Sequence, residues 1–407
     1  MSKARSRAAP PRSLSALRFV VGFGAVSALA DIVYEGARSM YGPYLASLGA
    51  TAFIVSVIAG GGEALALVAR LVFGRLADAR TRRWFLAIAG YTLTVIAVPL
   101  LGLTSTLWIA CVLILLERLG KAVRSPSKDA MLAQAGTVTG RGWAFAIHEA
   151  MDQTGAFIGP LLVALAFALS GSFGPGFLVL ALPGAAAITV LVALRRRVPD
   201  TAIYEPAPTP PRPADGAAQP RLPRPFWLYA AFTALTMSGF TTFGLLSFHL
   251  VEVSAISIAL VPVFYAVAMA VDAVAALVSG RWYDRVGLGG LIAVPIFAAI
   301  IPWLGFSATL VGVVIGMALW GAALGIQEST MRAAVADFVP DSRRGSAYGI
   351  FTAIYGLAWL GGSVAIGALY EVSTVWVAVA ITGCQFLAIV VFVAFRRSVF
   401  RAPATGR

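Results

Sequence analysis

Residues Gly74–Arg83 read GRLADARTRR, and residues Gly280–Gly289 read GRWYDRVGLG. Each stretch sets a Gly-Arg pair, Gly74-Arg75 or Gly280-Arg281, ahead of an Asp and further Arg: Asp78 with Arg80, Arg82 and Arg83, and Asp284 with Arg285. Each follows a long apolar run. A second match joins GRGWAFAIHEAMDQTGAFIG from Gly140 to RRGSAYGIFTAIYGLAWLGG from Arg343, setting Gly159 on Gly362. Two matches in the same order indicate a duplicated unit, so the chain reads as two similar halves.

What surrounds these turns is apolar. Of 407 residues 59% are hydrophobic and 12% charged, with mean hydropathy +0.86. A soluble domain carries about 25% charged residues, so lipid must cover most of this surface. About 20 apolar residues cross a bilayer as a helix. Twelve spans are expected, near 17–42, 50–73, 84–103, 106–134, 142–169, 174–195, 226–250, 255–279, 288–305, 308–336, 345–369 and 373–395. The organisation is a tail at 1–16, a six-helix bundle at 17–195, a linker at 196–225, a second bundle at 226–395 and a tail at 396–407. The linker is rich in Pro, cannot continue a helix and is expected to be mobile or extended.

The net charge of +13 has a membrane cause. All but Arg38 and Arg70 of the 31 basic residues fall in the tails, counting Arg18 at the edge of the first, and in the segments 74–83, 118–141, 195–224, 281–285 and 332–344. The connections on the other side contain none. Basic loops stay cytoplasmic, so both termini and the linker are expected there. Nucleic-acid binding needs a basic soluble domain, and no soluble segment is long enough to fold. Cys111 and Cys384 sit in apolar runs and read as buried hydrophobes. His148 and His249 make no metal motif, and HEAMDQ lacks the H-E-x-x-H spacing. No metal or cofactor is expected. The tail lacks a signal-peptide cleavage pattern. No GxxxxGK[ST] is present, which removes ATP as the driver.

The chain resembles the major facilitator superfamily of transporters. Gly74, Arg75 and Asp78 with Arg80, Arg82 and Arg83 resemble the family's loop motif between helices 2 and 3, and Gly280, Arg281, Asp284 and Arg285 its weaker copy between helices 8 and 9. Arg118 resembles the arginine of the helix 4 motif, but Lys121 and Ala122 replace the Gln and Gly that follow it there. Gly155-x-x-x-Gly159-Pro160 resembles the antiporter signature of helix 5 without its second Gly pair. The resemblance covers residues 15–398. It implies an all-α fold of two six-helix bundles related by a pseudo-two-fold axis, with the substrate site between them near mid-membrane. It also implies a secondary transporter working by alternating access.

The repeat decides a further point. Arg344 follows the tenth span and its counterpart Arg141 the fourth, so the fourth span runs to about Leu132–Ala135. Glu117, Arg118, Lys121 and Arg124 then lie inside the membrane, where a charge costs from about 3 to more than about 10 kcal/mol unless it faces a partner or a cavity. Glu117, Lys121 and Arg124 share one helical stripe. Asp31, Glu35 and Arg38 form another in the first span, Glu63 lies in the second, and His148, Glu149 and Asp152 lie in the fifth. The second half has only Asp272 and Glu328 in mid-span, with Glu252 and Glu371 near span ends.

Two readings of these charges stand: fixed pairs that tie the helices together, and titrating groups that carry protons. The substrate cavity is expected to be lined by Tyr34, Arg118, Lys121, Arg124 and Gln153 from the first half. Phe240, Phe243, Tyr265, Gln327, Glu328, Tyr355 and Trp359 are its expected lining from the second. Gly74, Arg75, Asp78, Arg82 and Arg83, with Gly280, Asp284 and Arg285, are expected to latch the halves in one state. Gly155, Gly159 and Pro160 are expected to permit close packing and a bend. The expected function is transport of a small solute, coupled to protons and directed towards export, by a monomer of the bacterial cytoplasmic membrane whose partners are its substrate, protons and the bilayer. A membrane-embedded enzyme and a non-transporting sensor are the alternatives.

Overall fold

The computed structural model describes residues 14–204, 222–253, 256–331, Val335, Val339 and 344–400. Those residues are helical with short turns. In the first half the long helices are α1 (Ala16–Arg38), α2 (Ala52–Ala77), α3 (Arg83–Leu101), α4 (Leu107–Thr139), α5 (Arg141–Ser170) and α6 (Ala181–Arg197). In the second half α7 is broken into Arg224–Ser238 and Phe243–Val253. It is followed by α8 (Val261–Val286), α9 (Ala293–Gly305), α10 (Leu310–Ile326), α11 (Arg344–Tyr370) and α12 (Thr374–Phe400). α10 runs on as a π-turn, Gln327–Met331.

Among the described residues eleven helical stretches are long and apolar enough to cross a membrane. The twelfth expected span is α4, a helix of 33 residues whose central stretch carries Glu117, Arg118, Lys121, Arg124 and Lys128. Those charges point inward: Glu117 is fully buried, and Arg118 and Arg124 are each 4% exposed.

The duplication is visible in the packing. In the first half α1 packs on α5 and α6, and α4 on α2 and α3. In the second half the counterparts repeat this: α7 packs on α11 and α12, and α10 on α8 and α9. The aligned glycines occupy matching contacts. Gly159 of α5 lies against the backbone of Ile32 and Gly36 in α1, and Gly362 of α11 lies against the backbone of Ser238 in α7. A side chain at either position would drive the backbones apart, which is how small residues bring helices close in lipid.

The halves meet along α2–α11 and α5–α8, and where the short helix Tyr41–Ser47 touches the second segment of α7. At the end opposite the basic turns, Tyr41, Tyr44 and Val55 join Leu245, Phe248 and Ile366 in one apolar cluster that crosses the seam. The Phe53 N–H donates to Glu371 Oε1 at 3.0 Å across the same end. At the basic end of the first half, the cluster around Phe19, Trp84 and Tyr204 draws on that half alone.

Two local expectations change. The seventh span, expected unbroken over 226–250, is interrupted at Gly239–Thr242. Irregular backbone at membrane depth needs protein partners for its carbonyls. Gln385 of α12 donates its amide to Thr236 O at 2.9 Å and Gly239 O at 2.8 Å, and Trp320 Nε1 donates to Thr241 O at 2.9 Å. The linker also begins later than its Pro content indicates. α6 reaches Arg197, and a 3₁₀ turn at Thr201–Tyr204 docks on the first half. Tyr204 donates to Leu14 O at 2.8 Å, and Thr201 hydrogen-bonds Gln134. Burial pushes the Tyr204 phenol up to about 12. Residues 205–221 lie outside the described set.

Candidate functional site

The charged residues expected inside the first half do come together, in two groups along α4. The upper group surrounds Tyr34 of α1. Arg118 Nη1 donates to the Tyr34 hydroxyl at 2.8 Å, Lys121 Nζ at 2.7 Å and Arg38 Nη1 at 3.1 Å. The Lys121 ammonium also lies 3.9 Å from the Tyr34 ring centroid and the Arg118 guanidinium carbon 4.8 Å, within cation–π range. The acids close the ring. Glu63 Oε1 lies 2.8 Å from Arg38 Nη2 and 3.2 Å from Arg118 Nη1, and Glu117 Oε2 lies 3.4 Å from Arg118 Nε. Glu35 lies 3.8 Å from Arg38 Nη1 and accepts from the Tyr265 hydroxyl of α8, across the seam.

Below it lies a second group. Arg124 Nη1 donates to Thr94 Oγ1 at 2.9 Å, its guanidinium stacks over Tyr91 at 4.6 Å, and Asp31 lies 3.8 Å away. Lys128 Nζ lies 3.7 Å from Asp152 Oδ2, which lies 3.5 Å from His148 Nδ1. The other nitrogen of His148 shares a hydrogen bond with Ser27 at 2.7 Å, and Ser27 reaches Tyr91 at 3.2 Å. The ligand atoms of His148, Glu149 and Asp152 lie within 4.8 Å of one another, as a metal would need. The ammonium of Lys128 already faces Asp152 there, and a second cation would be repelled.

Most of these charges have an opposite within 4.0 Å, and Lys121 is held by the Tyr34 hydroxyl and ring, which is what lets a membrane interior hold them. Lys128 was not among the expected site residues, although its spacing from Arg124 and Lys121 continues their stripe. Tyr91, Ser27 and Thr94 carried no signal in the sequence, since isolated hydroxyls in apolar helices are common.

The second half contributes differently. Phe240, Tyr265 and Trp359, expected to line a cavity, are buried in one aromatic core with Trp320, and Phe243 belongs to that core while also edging a pocket. Phe243 packs edge-on to Tyr265 with centroids 4.5 Å apart, and Trp359 edge-on to Phe240 at 5.9 Å. Gln327 donates to the Tyr355 hydroxyl, whereas Glu328 is exposed. Gln153 bridges to the second half, donating to Asp272 Oδ2 at 3.0 Å. A pocket does open between the two characters of lining. Arg38, Glu63 and Arg118 form its ionic wall, and Tyr41, Thr242 and Phe243 face them beside the α7 break.

The loop residues lie apart from this site. Arg75, Asp78, Arg82 and Arg285 are exposed, and Asp78 makes no ion pair among the described residues. Arg83 Nε donates to Ala77 O at 2.9 Å and fixes the turn. A Cβ built at Gly74 or Gly280 meets nothing within 4 Å. Asp284 lies in the last turns of α8. Gly155 lies against the backbone of Ala28, and Pro160 lies inside α5 one residue after Gly159.

The family model of the Major Facilitator Superfamily matches residues 23–362 and 273–406. The chain belongs to this superfamily. The uncharacterized protein Rv2265 of Mycobacterium tuberculosis is 52% identical over 389 residues, 94% of each chain. The uncharacterized MFS-type transporter MJ1317 of Methanocaldococcus jannaschii is 24% identical over 372 residues, covering 89% of this chain and 90% of its own. Among solved structures, a point variant of the nucleoside transporter NupG superposes with a TM-score of 0.73 at 14% identity, covering 93% of this chain and 99% of that one. The major facilitator fold of two six-helix bundles is therefore the frame in which the ionic lattice and the pocket sit, and a membrane transporter of small molecules is what the family supports.

Proposed function

We propose that the chain is a proton-coupled exporter of a small polar, charged or zwitterionic solute, working by alternating access between its halves. The observation that carries this is the pocket whose ionic wall meets the broken helix α7 at the seam. Three cations crowd the single hydroxyl oxygen of Tyr34, which has only two lone pairs to offer about three donors. An anionic oxygen of a solute satisfies those donors better, and neutral aromatic walls beside it suit the rest of a small molecule.

Proton coupling rests on Asp31, Glu35, Glu117, Glu149 and Asp152: all but Glu149 lie within 4.0 Å of a cation of their own half, and the Tyr265 hydroxyl that donates to Glu35 is a partner the other half can withdraw. Glu117 Oε1 and Asp152 Oδ1 are buried without a hydrogen-bond partner among the described residues, so each has a lone pair free for a proton. Export rests on the antiporter-like Gly155, Gly159 and Pro160. The exposed turn at Asp78 and the open space beside Gly74 and Gly280 suit a latch that engages in another state of the cycle. The protein is a monomer of a bacterial cytoplasmic membrane with both termini inside.

The test is flux in proteoliposomes across a panel of amines, amino acids and organic anions, with and without an imposed pH gradient. Gradient-driven counterflow of at least one solute is expected. Flux that ignores the gradient removes the coupling, and no flux of any solute removes the transporter. For orientation, a cysteine replacing Ser105 or Ser172 is expected to react with an impermeant reagent from outside and one replacing Thr81 to be spared.

A further inference from the structure

Among the described residues Asp31, Glu35, Glu63, Glu117 and Asp152 of the first half lie within 4.0 Å of a cation, whereas Asp272, a buried acid of the second half, does not. Asp272 sits in the middle of α8, 2% exposed. Gln153 of α5 donates its amide to Oδ2 at 3.0 Å, and Oδ1 is buried with no hydrogen-bond partner among the described residues. Among the described residues no Lys or Arg forms an ion pair with it. Among the described residues the charged groups that act on it most from the packed elements are acids: Glu328 of the π-turn after α10, Glu35 of α1 and Glu149 of α5. The same Gln153 amide reaches Glu149 Oε1 at 3.5 Å, so two carboxyls converge on one donor. The backbone carbonyl of Asp272 is pressed against Gly325 of α10, which holds this turn of α8 close on α10.

A carboxylate in this position would be desolvated, hold one neutral hydrogen bond and face only like charge. A lone buried ion costs far more than a buried neutral acid. A proton on Oδ1 would remove that cost while α5 and α8 are closed. When the two helices part, as alternating access requires, Gln153 leaves, water reaches the carboxyl and the proton can dissociate. We propose that Asp272 is a proton-carrying residue of the transport cycle, and that its protonation is the condition for closing the α5–α8 seam. No bond other than O–H forms or breaks: the proton comes from water on one side of the membrane when the site opens there, and passes to water on the other side when the site opens to it. This rests on the proton-coupled reading above but places the coupling group in the half that reading passes over.

The experiment follows the seam and the carboxyl separately, on the full chain in lipid nanodiscs. Spin labels on cysteines replacing Leu169 of α5 and Leu260, just before α8, report the distance across the seam between acid and alkaline pH. Infrared difference spectra over the same range report the carbonyl band of protonated carboxyls. In the otherwise unaltered chain the ratio of closed to open seam is expected to fall by up to about tenfold per pH unit, the limit for one linked proton, with loss of a protonated-carboxyl band in step. Asp272→Asn has the shape of the neutral acid. It is expected to stay closed at every pH and to lack that band. Asp272→Glu is expected to restore a pH-dependent seam with a displaced midpoint. A seam in Asp272→Asn that still follows pH as before overturns the proposal, as does an unaltered carboxyl band. An Asn variant that fails to fold while the Glu variant folds also overturns it, because the charge and not the neutral acid would then be what the site needs. If the seam titrates through Asp272 but flux ignores the pH gradient, the coupled-transport reading fails and the protonation site stands.

Discussion

The two halves share a packing plan and differ in what fills it. Between α1, α2, α4 and α5 the first half sets Arg38, Arg118, Lys121, Arg124 and Lys128 against Asp31, Glu35, Glu63, Glu117 and Asp152. Between α7, α8, α10 and α11 the second half sets Phe240, Phe243, Tyr265, Trp320 and Trp359. One scaffold thus tolerates either filling, because helix contact is made by glycines and not by the filling: Gly155 and Gly159 on α1, Gly321 and Gly325 on α8, Gly362 on α7. The difference is in how each half responds to loss. An ionic lattice fails when its charges stop balancing, whereas an aromatic core fails when volume is removed.

Four substitutions break or sharpen that contrast. The largest effect is expected from Arg118→Met, which strands the fully buried Glu117 and halves the pairing of Glu63. Breaking such a pair costs about 3–5 kcal/mol, read as a lower melting temperature in detergent. Arg118→Met with Glu117→Gln is expected to recover much of it. A lattice that shows no recovery would be held by shape and not by charge. Trp320→Ala is expected to cost about 3 kcal/mol by leaving a cavity, and no second neutralisation recovers it. If a polar partner substitution does, the second half is not the apolar filling described here.

Tyr34→Phe removes an acceptor shared by three cations and is expected to cost about 1–2 kcal/mol. Its larger effect falls on solute affinity, measured by thermal shift at several solute concentrations, because the cations beside the pocket are rearranged. The smallest change in stability is expected from Asp78→Asn, an exposed site on a turn. Its melting curve should overlay the original while solute exchange slows with binding preserved. A folded Asp78→Asn protein that cannot bind its solute would move the loop motif from the latch to the site.

Much of this was readable in the order of residues. Apolar run length marks the spans, because a helix must satisfy its own backbone in lipid. The Gly-Arg-Asp turns at Gly74 and Gly280 mark the duplication, and the aligned Gly159 and Gly362 do land in equivalent contacts. Helical period puts Glu117, Lys121 and Arg124 on one face and extends that face to Lys128, since spacing along a single helix fixes direction. The same period carries no information about the neighbour that direction meets.

Only the tertiary structure decided that Tyr34 sits at the centre of three cations, that Phe240 is core and not cavity wall, and that Gln385 holds open the break in α7. It alone separates Asp272 from Asp31: both read as acids in mid-span, but α4 brings Arg124 to one, while α5 brings only an amide to the other. Partner choice depends on how far apart two helices lie and how each is rotated about its axis. Those quantities are set by backbone contacts at glycines distant in the chain, so a charge's fate is determined by residues that carry none.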